Sequence, residues 1–96
     1  MITNLYHLAG WITLLDGIKR IDERCERQGL DFDRYLKPEV LEKYVVERKE
    51  DVLHSLRDMA QSNQVTEENF LMQLLTQPVG VLVDTISEYN AAHSIV

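Results

Sequence analysis

Cysteine, proline and glycine are all scarce in this chain, and each scarcity removes a class of structure. With Cys25 as the one cysteine, no internal disulfide can form and a structural zinc site lacks its thiolates. That usage points to a reducing, cytoplasmic setting. Two prolines and four glycines argue against disorder or a sandwich of short strands. Long hydrophobic runs are missing too: the most apolar block, from Leu5 to Leu15, contains His7 and stops at Asp16. It falls short of the roughly 20 residues of a bilayer span, so neither a signal peptide nor a membrane anchor is expected. Positive charge is in deficit, ten Lys and Arg against sixteen Asp and Glu, a formal net charge of −6. This disfavours a nucleic-acid backbone or an anionic membrane as the main partner.

What is present is apolar residues at helical spacing. Hydrophobic residues make up 45% of the chain, enough for one modest core in a single domain spanning 1–96. In the first stretch, Leu8, Trp11, Leu15, Ile18 and Cys25 form a stripe that Leu5, Ile12 and Leu14 widen. Thr3 or Asn4 suits the N-cap, while Gly29 with Leu30 behind it reads as a left-handed C-terminal stop. Asp16-Gly17 is also a turn signal. Because the steps of three and four from Trp11 through Leu14, Ile18 and Ile21 to Cys25 run straight through it, one helix is favoured over two.

After a connector in which Phe32, Tyr35 and Leu36 are expected to plug one end of the bundle, Lys37-Pro38 marks the start of a second long helix. It runs to about Ala60, with Leu41, Val45, Val52, Leu56 and Met59 along one stripe. The charged run from Glu47 to Asp51 interrupts that stripe, as a solvated segment or as a break with Asp51 capping a new helix. Thr66 caps a short third helix over Glu67 to Thr76, and Pro78 separates it from a fourth, Val79 to Asn90. Residues 91–96 read as a frayed tail. The expected fold is therefore all-α, a small antiparallel bundle of about four helices, two long and two short.

The first helix carries more apolar surface than one face of a bundle needs, and Gly10 and Gly17 offer a close approach to another backbone. The rest of the chain can cover one flank and a second copy the other. Leu8, Gly10, Trp11, Leu14, Leu15 and Ile18 are accordingly the expected interface of a homodimer. Trp11 and Tyr6 are expected as core or interface anchors and not as a ligand cage.

Other side chains invite chemical readings. Glu50, His54 and Asp58 share a helix face, where carboxylates would raise the imidazole pKa or help hold a divalent cation. No second histidine stands in a fixed relation to His54, so ordinary (i, i+4) pairing is the expectation, with no metal and no cofactor. The run His54-Ser55-Leu56-Arg57-Asp58-Met59-Ala60 resembles the motif around the phosphorylated histidine of histidine-phosphotransfer domains, which are helical bundles of similar length. The resemblance implies a phosphoryl group on His54 and a neutralising role for Arg57. Asp58 departs from it, since that family carries a small residue, usually glycine, four positions after the histidine. Lys19, Arg20, Arg24 and Arg27 gather positive charge, but Asp22, Glu23 and Glu26 are interleaved, as in a salt-bridged solvent face. Cys25 lies on the apolar stripe as a buried thiol. Ser94-Ile95-Val96 has the form of a strand-adding carboxyl tail.

Acid–base pairs in a cleft, phosphate-binding glycine loops and metal spacings are all missing. The functional expectation is a non-enzymatic helical module, a small regulatory, adaptor or inhibitor protein, that binds another protein and dimerises through its first helix. A phosphotransfer module built on His54 is the alternative. A nucleic-acid binder using the Arg20, Arg24 and Arg27 face, or an acidic mimic of nucleic acid, comes third.

Overall fold

The computed structural model describes residues 2–92, which form five helices and no strand. They are α1 (Leu5–Gln28), α2 (Phe32–Tyr35), α3 (Pro38–Ser62), α4 (Glu67–Leu75) and α5 (Val79–Ala92). Short polar side chains begin three of them by satisfying amides that the first turn leaves unpaired. Asn4 accepts from the His7 amide at 2.9 Å, Asp31 from Asp33 at 3.2 Å and Thr66 from Asn69 at 3.1 Å. Pro38 opens α3, where its missing N–H costs nothing. At the end of α1, Gly29 is left-handed with φ 66° and the Leu30 amide donates to the Cys25 carbonyl at 2.8 Å, a Schellman stop.

Both candidate breaks are continuous helix. Neither Asp16-Gly17 nor the run from Glu47 to Asp51 interrupts its element. The connector contains a fifth helix, one turn long, and its plug is partial: Phe32 and Leu36 are half-buried, whereas Tyr35 is 45% exposed. α5 continues two residues beyond the expected end, to Ala92. The rest of the expected frayed tail, 93–96 with Ser94-Ile95-Val96, lies outside the described residues.

α1 and α3 pack antiparallel, and the shorter helices cover only part of the pair. The core is built from Leu5, Leu8, Ala9 and Ile12 of α1 and Val52, Leu53, Leu56 and Ala60 of α3. Phe70, Leu71 and Leu74 of α4 and Leu82, Val83 and Ile86 of α5 close it. The α1 and α3 members lie in the first half of α1 and the second half of α3. The opposite halves extend as a two-helix arm closed by α2, with Cys25 buried inside it. The arm accounts for a long axis of 45 Å against a shortest of 23 Å.

Candidate functional site

The seam between α1 and α3 is set by two glycines. A Cβ on Gly17 would stand 3.0 Å from the Tyr44 ring, and one on Gly10 would stand 3.2 Å from the Lys49 stem. Each missing side chain thus makes room for a large side chain of α3 in the same chain. On one flank of the seam the result is an open groove of about 420 Å³, lined by Ile2, Tyr6, His7, Gly10, Trp11, Leu14, Val45 and Lys49. The Lys49 ammonium sits 3.8 Å from the centroid of the Tyr6 ring, a cation–π contact that leaves its aliphatic stem along the groove wall. His7 is held by the Thr3 hydroxyl at 2.9 Å.

The six residues expected at an interface divide between the interior and this groove. Leu8 is wholly buried in the chain's own core, and Leu15 packs against that core. Ile18 is half-buried farther along α1. Gly10, Trp11 and Leu14 line the groove and remain partly exposed.

On the other flank lies a narrower cleft of about 220 Å³ among α1, α3 and α5. Asp16 accepts from the Tyr44 hydroxyl at 2.6 Å and from Arg20 Nε at 3.0 Å. Burial pushes the Tyr44 phenol above its ordinary value, and donation to the Asp16 carboxylate pushes it further. The hydrogen bond to Asp16 likewise raises Arg20. Arg48, also on the cleft wall, leans over the Tyr44 ring at 6.0 Å. Its Nε is buried, and no acceptor among the described residues reaches it. Such an orphaned donor is uncommon in a folded protein.

The raised phenol sets an alkaline limit. A group whose folded pKa exceeds its unfolded value contributes stability that is fully present below the unfolded pKa, about 10 for tyrosine, and is lost as pH climbs through the folded one. Urea midpoints measured upward from pH ~9 are expected to fall less steeply in Tyr44→Phe than in the parent. Equal slopes would show that Tyr44 does not carry the effect.

His54 is exposed in the middle of α3, but the side chains of its motif are engaged elsewhere. Arg57 pairs with Glu67 of α4 at 3.3 Å, and Asp58 accepts a hydrogen bond from the Tyr89 hydroxyl. Among the described residues no three of His, Cys, Asp and Glu come together as metal ligands. In the basic cluster of α1, Lys19 is bound to Asp84 at 2.6 Å and Arg20 to Asp16, while Arg24 and Arg27 are exposed. No helix among the described residues is long and apolar enough to cross a membrane.

Sequence reasoning missed the inward turn of Arg48 and Lys49, because a run of five charged residues reads as solvated surface. For Lys49 the available signal was Gly10 on the facing helix, which admits its stem; nothing comparable marked Arg48, since Gly17 faces Tyr44 and Leu41. In comparisons with protein families, curated proteins and solved structures, nothing matches this chain.

Proposed function

We propose that this protein is a non-enzymatic interaction module that assembles as a homodimer through the groove beside Trp11. The observation that carries this reading is the groove's chemistry: Trp11, Leu14, Tyr6 and Val45 lie together, partly exposed, on a face whose lining contains no carboxylate. In a chain of net charge −6, two copies repel one another over most of their surface. They meet at least electrostatic cost where acids are missing. A two-fold arrangement sets the Trp11 of each copy into the groove of the other, which makes the patch self-complementary as closed dimers require. Desolvated tryptophan is among the commonest anchors of such interfaces.

Light scattering over a concentration series is the test. The expected mass is twice 11.2 kDa, nearly insensitive to moderate salt because the contact is apolar. Trp11→Ala should weaken association at least about tenfold by removing the anchor. Gly10→Leu should weaken it by filling the groove. A monomer at every concentration would refute the dimer and direct attention to the exposed His54 face with a phosphodonor. A dimer of unchanged affinity in both variants would place the interface elsewhere.

A further inference from the structure

We infer that the cleft among α1, α3 and α5 binds a small aliphatic monocarboxylate, with Arg48 as the residue that receives its charge. This is independent of the groove, which lies on the opposite flank of the α1–α3 seam.

The charge balance of the cleft comes first. Its charged lining residues are Asp16, Arg20 and Arg48. Asp16 is satisfied by Arg20 and by the Tyr44 hydroxyl, so one carboxylate and one guanidinium neutralise each other. Arg48 forms no ion pair among the described residues, although ten cations share this chain with sixteen acids. A guanidinium left without a carboxylate in an acidic protein, half-buried on the cleft wall, is a preformed donor for an anion through its terminal nitrogens, and its enclosed Nε–H finds no acceptor among the described residues to offset its charge. Its planar fork matches the two oxygens of a carboxylate.

The other walls narrow the class. Ile12, Val52, Val83 and Ile86 provide apolar lining, which rewards a hydrocarbon body behind the charged head. Ser87 and Asn90 of α5 add polar groups. The Asn90 amide oxygen accepts from the Ser55 hydroxyl, so its amide hydrogens remain as donors. A volume of about 220 Å³ admits only a small molecule. With Asp16 and Arg20 neutralising each other, the lining keeps the single positive charge of Arg48, which balances a monoanion and not the second charge of phosphate.

The experiment follows amide resonances by NMR while isovalerate is added to the intact protein. In parallel titrations, 3-methylbutan-1-ol serves as the neutral isostere and inorganic phosphate as the compact anion. Isovalerate is expected to shift Asp16, Val52 and Ser87 saturably, and to bind at least about tenfold more tightly than either comparison compound, as loss of a charge-assisted hydrogen bond predicts. Arg48→Gln should weaken isovalerate by a similar factor, while Arg57→Gln on the outer face of α3 leaves it unchanged. Ser87→Met, which fills the cleft and retains Arg48, should also abolish saturable binding, so the site stays testable if Arg48→Gln fails to fold. Equal affinity for the alcohol would overturn the role of charge, and equal affinity for phosphate would overturn the ligand class. Undiminished binding in Arg48→Gln, or in a folded Ser87→Met, would overturn the location.

Discussion

Leu8→Ala is expected to lower the free energy of unfolding by about 3 to 4 kcal/mol, the cost of deleting a buried isobutyl group and leaving most of its cavity behind. Leu8 has no exposed surface and stands in the cluster where α1, α3, α4 and α5 meet. Domains of this size hold only about 5 to 10 kcal/mol in all, so one methyl-rich side chain accounts for a large share of stability. The measurement is a shift in the urea midpoint at unchanged slope, which keeps the loss in the folded state. Val46→Ala is the matched comparison. Val46 is 70% exposed on α3, and its truncation should move stability by no more than about 0.5 kcal/mol. If Leu8→Ala instead left stability intact and weakened self-association, Leu8 would belong to an interface between copies after all.

That contrast shows why only part of the site was legible in the sequence. Periodicity reports how much apolar surface a helix carries, and it identified α1 as the element needing cover on more than one side. It does not report which neighbour supplies that cover. α4 and α5 sit on the first half of α1 and take Leu8 and Ile12 into the core, leaving Trp11 and Leu14 beside the groove. The caps at Asn4 and Thr66 and the stop at Gly29 could be read because each rests on a local hydrogen bond or a local φ. The end of α3 could not. There Gln64 adopts φ 57°, with the Val65 amide donating to the Ala60 carbonyl, so a residue with no preference for the left-handed region does the work of a glycine.

The charged run in α3 is the second place where composition misleads. Glu47, Glu50 and Asp51 face solvent as expected, but Arg48 and Lys49 turn toward α1 from opposite flanks of the seam, one into the cleft and one over Tyr6. Long cationic side chains can lie along an apolar wall while keeping their charged ends near water, and carboxylates on short stems cannot. The charged run of α3 therefore sends its cations into the seam while its acids remain outside. The groove is left without a carboxylate, and the cleft with only Asp16, which Arg20 and Tyr44 already satisfy, the asymmetry on which both binding proposals rest.

Gly17→Leu tests the seam directly and is expected to cost about 2 to 3 kcal/mol, as overpacking does where a neighbour cannot yield. The first added carbon would stand 3.0 Å from the Tyr44 ring and 3.5 Å from Leu41. Tyr44 has little freedom to retreat, because its hydroxyl is held by Asp16 at 2.6 Å and burial limits its ring. Gly17→Ala meets the same contact, but replacing a mid-helix glycine recovers about 1 kcal/mol of helix propensity, so the two effects nearly cancel. The decisive measurement is a double-mutant cycle by urea unfolding: in a Tyr44→Ala background the cost of Gly17→Leu should fall by at least about 1 kcal/mol, since the colliding ring is gone. Additive losses would mean that Tyr44 is not what confines position 17. Coupling of that size would show that the Tyr44 ring confines position 17, and so that this pairing of a glycine with a tyrosine is one of the two that space α1 and α3. The same tyrosine holds Asp16 beside Arg20, so any variant that displaces the Tyr44 ring should also loosen the cleft in which Arg48 stands.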